Sequence, residues 1–466
     1  MNNCRVRFSG LTIENIKNVE YGKFTMPSMR QKNKGSLDEY EADIAGIYGQ
    51  NGSGKTAVID TLYLIKSLLS GEKLNMQWGS YIRMGSPTAC FEAEFLVYSK
   101  EAKFQVFYEV ELVREEGDFT IGKETISYRK RIDEKHSRRR IAISFKIEEQ
   151  GIPEPKKRLE ELAGRDKERK EQIKRTVLHA FQNRASAIFS LESRILLTET
   201  YHEEYEDVAF LIQTLYQYAM VNLFVIQNIH SGKISADFIL PMVFRAEDAR
   251  ETLQGSFFVN LRNTTLLEKT HCQLLKQVLV QVNLVIGAII PGMFIALKEM
   301  GTVEEKAGEV KQKIELISCR GDIEIPVRQE SEGIIKIISI LSALIQVYNN
   351  PYLCLAVDEL DAGVYEYLLG EILDLFYRGG KGQLIFTSHN LRPLEMLPRQ
   401  CIVFSTANPK NRYIRMQMLK RQRNLRDAYL RCITLGGQEE CVYQETDSIK
   451  IARAFRNAGR ILNHDS

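Results

Sequence analysis

Eight residues, Gly49-Gln50-Asn51-Gly52-Ser53-Gly54-Lys55-Thr56, fit the pattern G-x-x-x-x-G-K-[ST] at every constrained position. A short apolar run, Ala45-Gly46-Ile47-Tyr48, precedes them, and Ala57 to Leu69 follows with apolar residues at helical spacing. Strand, glycine-rich loop and helix is the order in which this pattern cradles phosphate. The glycines let backbone N–H groups turn toward one point, where the helix N-terminus adds partial positive charge and Lys55 a full one. Thr56 offers a hydroxyl to a phosphate-bound Mg2+ ion. The loop predicts a bound nucleoside triphosphate without saying what the triphosphate is used for.

A chain of 466 residues has room for two to four domain-sized units. Its 63 basic and 60 acidic residues nearly cancel, so charge alone points to no nucleic-acid partner. The eight cysteines form no C-x-x-C pair, which argues against a metal cluster or disulfide framework and for a reducing, cytoplasmic setting. No apolar signal segment opens the chain. Val278 to Ile295 is the most apolar stretch, but Gln281, Asn283 and Pro291 interrupt it, so a buried helix and turn is expected there and no membrane span.

Alternation over Arg5–Ile13, Phe91–Val97, Phe104–Val113 and Phe119–Tyr128 predicts a β-meander beside the loop, with a second strand near Phe24 and a turn at Glu116-Gly117-Asp118. From about Pro153 to Thr270 the pattern reads as helical, most apolar over Val208–Ile229, and another long helix is expected over Leu266–Ile290. Strand patterns return at Ile314–Ser318 and Ile323–Val327. The closing third alternates helix and strand: Ile334–Val347, Leu353–Val357, Val364–Phe376 and Leu384–Phe386. Such alternation implies a parallel sheet.

Leu353-Cys354-Leu355-Ala356-Val357 is a continuous apolar strand with Asp358-Glu359 at its carboxyl end, the side on which open α/β sheets bind ligands. Two adjacent carboxylates there divide two tasks: Asp358 for the metal, Glu359 for the attacking water. Leu384-Ile385-Phe386 ends in Thr387-Ser388-His389-Asn390, which places His389 as a polar sensor of the γ-phosphate.

Taken together, the loop at 49–56, Asp358-Glu359, Leu360-Asp361 and Thr387-Ser388-His389 resemble the Walker A, Walker B, D-loop and H-switch of ABC-type ATPases. The SMC-like branch is the nearest, since there a long insertion divides the two lobes, and Asp358 lies more than 300 residues after Lys55. Leu11 to Asn18 is similar to the first strand of that branch. Gln329 to Lys336 fills the signature slot, 27 residues before Asp358 at Ser331, and resembles the S-x-G-x-x-[KR] variant of the overcoming-lysogenization-defect ATPases and related bacterial defence ATPases. The resemblance implies an α/β fold: an ABC-type head with a mixed-sheet N-lobe and a parallel-sheet core, plus a mainly helical insertion. The expected divisions are 1–128 (first part of the head), 129–310 (insertion), 311–412 (second part) and 413–466 (extension). The resemblance also implies that Ser331, Gly333 and Lys336 face the γ-phosphate held by a second copy, so that two chains sandwich two ATP molecules, with Asp361 at the same junction. Gln77 is the candidate for the Q-loop glutamine.

Seven basic residues, Arg129, Lys130, Arg131, Lys135, Arg138, Arg139 and Arg140, crowd twelve positions, with Asp133 and Glu134 the only acids among them. They suit a phosphate backbone, an acidic partner or a solvated hairpin, and no interleaved aromatics favour base stacking. Lys156 to Arg175 mixes both charges at helical spacing, as a solvated face or short arm would. After Ile402-Val403-Phe404 there is no D-x-D and too little chain for a Toprim nuclease domain. Leu435-Gly436-Gly437-Gln438 falls after the H-switch and is expected to be a turn before a last helix, Ile449–Ala458. Two functions stay open. One is an ATP-dependent sensor and scaffold, homo-oligomeric and paired with a separately encoded nuclease or toxin, as in the Septu and PARIS anti-phage systems. The other is a RecF- or SMC-like ATPase that clamps DNA.

Overall fold

The computed structural model describes residues 5–27, 43–99, 102–132, 135–199, 203–227, 239–247, 252–260, 264–304, 310–415, 425–435, 440–442 and 448–461. Its central sheet has the strand order Tyr413–Ile414, Ile402–Ser405, Asp43–Tyr48, Gln383–Thr387, Cys354–Val357, Leu223–Ile226. All neighbours are parallel except the first pair. The strand that feeds the glycine loop therefore lies beside the His389 strand, and the Asp358 strand comes next.

Side chains alternate across this sheet as the pleat requires. Ala45, Ile47, Cys354, Ala356, Ile385 and Val403 enter one core with the helix Lys55–Leu69. Ile44, Tyr48, Leu355, Val357, Leu384, Phe386 and Phe404 enter a second core with the helices Lys269–Ile289, Glu332–Asn349 and Glu366–Gly379. These strands are buried on both faces, which is why they read as unbroken apolar runs.

The first core is closed by an antiparallel sheet ordered Val19–Thr25, Val6–Ile16, Thr88–Tyr98, Lys103–Glu115, Asp118–Ile132, with Arg140–Lys146 pairing the last of these. The meander and its turn at Gly117 are as expected, and so is the α/β fold with a mixed head and parallel core. A separate antiparallel sheet, Thr265–Leu267, Val310–Arg320, Met293–Glu304 and Ile323–Pro326, covers the far end of the second core.

The segment 129–310 is less helical than its pattern implied. Its first residues continue a meander strand, and the hairpin Ile239–Glu247/Thr252–Asn260 and the strand Met293–Glu304 lie within it. The expected helix Val208–Ile229 ends at Val221, and Leu223–Ile226 is the edge strand beside Cys354–Val357. A short run apolar on both faces carries no period with which to distinguish a buried strand from a buried helix. Leu266–Ile290 differs at its start, where Thr265–Leu267 is a strand. Helices Lys269–Ile289 and Glu332–Asn349 are long and apolar enough by composition to cross a membrane, yet both contribute to the second core. Residues 436–439 lie outside the described ones, and the last helix is Ser448–Ile461.

Candidate nucleotide site

The glycine loop leaves the carboxyl end of its strand and enters the helix through Gly54, which holds a left-handed conformation (φ 90°), as does Gly52 (φ 77°). A side chain at Gly49 would overlap Ser405, the end of the neighbouring strand. Ser53 and Ser405 hydroxyls bond each other, Tyr413 Oη donates to Gly54 O (2.7 Å), and Asn18 Nδ2 donates to Gly52 O. Arg412 in turn donates to Asn18 O (2.5 Å) and Thr406 O (2.6 Å). The loop is thus braced by the first antiparallel sheet and by a strand about 360 residues later in the chain. Asn51 and Gly52 stay exposed at its tip.

Lys55 is buried and donates to Gly49 O (2.9 Å) and Gln50 O (3.1 Å). Burial lowers its pKa, against the pull of Asp358, Glu359 and Asp361. Thr56 Oγ1 donates to Asp358 Oδ1 at 3.4 Å, joining residues 302 apart in sequence. Asp358 is 0 % exposed. Its Oδ1 also accepts from Thr387 Oγ1 (2.6 Å), while Oδ2 is buried with no hydrogen-bond partner. An orphaned carboxylate oxygen is costly in a dry interior. With the Thr56 hydroxyl beside it, the pair is a hard-oxygen donor set that suits Mg2+.

Glu359 carries a left-handed backbone (φ 49°), uncommon for a residue with a Cβ and worth on the order of 1–3 kcal/mol of strain. Two bonds hold it there: its N–H donates to Thr387 Oγ1 (2.7 Å), and its carbonyl accepts from Lys336 Nζ (3.0 Å). Thr387, quoted in the motif but given no task by the sequence, fixes both acids. Asp361 Oδ2 accepts the backbone N–H groups of His389 (3.0 Å) and Asn390 (2.9 Å), so the D-loop and H-switch form one unit. The His389 residue itself is exposed.

The signature segment divides in two. Ser331 caps its helix, accepting from Ile334 N at 3.4 Å, and is exposed. A side chain at Gly333 would overlap Gly363 O, so this glycine permits contact with the D-loop of its own chain. Lys336 departs from the expectation that it faces a second copy. It is buried against Glu359 of the same chain, with its pKa lowered by burial and held up by Glu359, Asp361 and Asp358. One and a half helical turns beyond Ser331, the side chain points inward to the acidic strand ends.

Gln77 does not join the site. It lies exposed on the short 3-10 turn Met76–Tyr81, where its N–H is taken by Asn75 Oδ1. Nearer to the site is Gln227, next after the edge strand, where Asp358 N donates to Ile226 O (2.9 Å). Gln227 is buried, and its Nε2 donates to Asp60 Oδ1 (2.6 Å), which also pairs with Lys17. Burial raises the Asp60 pKa. The sequence hid Gln227 because its strand was read as part of a helix.

Within the basic run, Lys130 pairs with Asp207 (2.8 Å) and Arg139 with Glu92 (2.5 Å), while Arg129 and Arg139 lie over Phe107. Lys135 lies in the short strand Lys135–His136, and Arg138 and Arg140 are exposed. The run forms a hairpin at the edge of the antiparallel sheet, with Arg131 pairing His136 and Ile132 pairing Lys135.

Residues 44–395, about three quarters of the chain, match the protein family described as "AAA domain, putative AbiEii toxin, Type IV TA system". The chain belongs to this family, an ATPase of the AAA type. No curated protein matches its sequence. Among solved structures it is similar to the SMC head domain from Thermotoga maritima (12% identity, 88% of this chain and 100% of that chain, TM-score 0.37). It is also similar to the Smc head domain with an extended coiled coil bound to the C-terminal domain of ScpA derived from Pyrococcus furiosus (11% identity, 91% and 98%, TM-score 0.39). Overlap at that level adds nothing to the strand order and the family match.

Proposed function

We propose that this AAA-family ATPase binds ATP with Mg2+ and hydrolyses it. The supporting observation is the convergence of Lys55 and Thr56 with Asp358, Glu359 and Asp361, two segments 300 residues apart meeting at the carboxyl ends of parallel strands on either side of the His389 strand. Loop N–H groups and Lys55 bind the phosphates, Thr56 and Asp358 hold Mg2+, and Glu359 orients the attacking water. When bound, the metal neutralises phosphate charge. Gln227 serves as the Q-loop glutamine, and His389 contacts the γ-phosphate. Lys336 and Thr387 position Glu359.

Exposed Ser331 at its helix N-terminus is the part of the signature suited to a second copy's ATP. The chain then closes head to tail around two nucleotides. The cysteine pattern agrees with cytosolic work. The likeness of Ser331-Glu332-Gly333 to the signature of bacterial defence ATPases favours a sensor and scaffold that controls a separately encoded effector, while the family's description speaks only of a putative toxin and a Type IV TA system. The DNA-clamp reading has less support, because Lys130 and Arg139 already have acidic partners.

The test is Glu359→Gln. ATP should drive it into a stable dimer or larger assembly while phosphate release falls by about 10²–10³-fold. A variant that stays monomeric with ATP and hydrolyses at the wild-type rate defeats the reading. Co-purification with its genomic neighbours then tests the effector.

A further inference from the structure

Two unmatched surfaces complement each other. The last helix, Ser448–Ile461, exposes every residue from Ile449 to Ala458. At 100° per residue, Ile451, Phe455 and Ala458 (i, i+4, i+7) share one face, and Lys450, Arg453 and Arg456 lie toward the other. Phe455 is 77 % exposed and Ile451 44 %. No Asp or Glu occurs between 448 and 461, against four basic residues. A face with Phe455 mostly in water and Ile451 nearly half exposed has burial to gain elsewhere, at about 25 cal/mol per Å2.

The second surface is a groove of about 440 Å3 between helices Lys269–Ile289, Glu332–Asn349 and Glu366–Gly379. Its lining is apolar, with Val285, Leu341, Tyr348, Leu368 and the 61 % exposed Leu375, and its one ionisable acid or base is Glu371. Glu371 and Glu366 both stand exposed on the groove's third helix. A helix with anchors at i, i+4 and i+7 is the shape such grooves accept, and the basic helix finds an opposite charge there in Glu371.

We propose that the Ser448–Ile461 helix of one chain docks in this groove of a second copy, with Ile451 and Phe455 as the buried anchors and Arg453 or Arg456 facing Glu371. A second copy is the occupant because Ile451 and Phe455 stand exposed on their own chain, while every chain carries both halves of the contact. Two copies exchanging helices close a two-fold assembly. The groove uses Leu341 to Tyr348 of its middle helix, ten or more residues beyond Ser331, and needs no nucleotide, so the contact pre-assembles the chains that ATP would later draw together. It holds or fails independently of the ATP-sandwich reading.

The experiment is sedimentation of the full chain without nucleotide at micromolar concentration. Wild type should be dimeric. Phe455→Glu and Leu375→Glu should each weaken association by at least about tenfold, with thermal melting unchanged to show that both fold. An equimolar mixture of the two variants should form a 1:1 complex, since one intact helix and one intact groove remain. A wild-type monomer, variants that stay dimeric, or a mixture no more associated than its parts would each overturn the proposal. So would wild type that stays monomeric but floats with anionic phosphatidylglycerol vesicles through Phe455.

Discussion

Two buried carboxylates in this molecule have opposite surroundings. Glu124, in the first antiparallel sheet, accepts four donors: Tyr108 Oη (2.7 Å), Ser186 Oγ (2.6 Å), and the backbone N–H groups of Ala187 (2.7 Å) and Ile188 (3.2 Å). Burial raises its pKa while all four donors oppose the shift. Asp358 is equally buried, but only Oδ1 is satisfied. A carboxylate saturated by its own chain is a fastener. One with an orphaned oxygen, beside a lysine and a threonine hydroxyl at the ends of parallel strands, is stabilised only when something else completes it.

The same change of carboxylate to amide separates these roles. Asp358→Asn should lower ATP hydrolysis by about 10³-fold, roughly 4 kcal/mol of barrier, and lower Mg2+-dependent nucleotide binding. Its melting temperature should hold or rise, because a buried charge with a missing partner is removed. Steady-state phosphate release and melting curves read both, and a collapse in stability would place Asp358 with Glu124. Glu124→Gln should do the reverse. Its amide N–H2 would face donors, at a cost of roughly 3–4 kcal/mol, while activity per folded molecule stays near wild type. Denaturant unfolding checks the first, and a loss of activity without a loss of stability would erase the contrast.

A third carboxylate extends the comparison to the opposite end of the central sheet. Asp43 accepts from Gln383 Nε2 (3.1 Å), and burial raises its pKa to about 6, against the pull of Arg7. Because the folded value lies above the unfolded 3.8, the favourable contribution is complete below about pH 4 and is lost as pH rises through 6. Asp43→Asn should therefore gain on wild type between pH 4 and 7, by at most about 3 kcal/mol. Urea unfolding across that range measures it, and a flat difference would refute the direction.

The reach of the sequence follows the same division. The loop, the Asp358-Glu359 strand end and the His389 strand end were legible because phosphate chemistry demands fixed residue types at fixed spacing. The meander was legible because one of its faces alternates. What escaped was what only packing decides. The period of the run after Asn222 is silent between helix and strand, and with it went Gln227. The run from Arg129 to Arg140 carries no sign of Glu92 and Asp207, 47 and 77 residues from their partners Arg139 and Lys130.

By itself, then, the sequence determined that a glycine-rich loop and an acidic strand end share this chain, since each is a local pattern set by backbone freedom and charge. Only the tertiary structure decided that Lys336 serves Glu359 of its own chain, that Arg412 and Tyr413 brace a loop some 360 residues earlier, and that Asp358 Oδ2 is left without a donor. Those are distances across a folded sheet. Chain order holds no record of them, because closing a loop of hundreds of residues costs little more entropy than closing a short one, about (3/2)RT ln n.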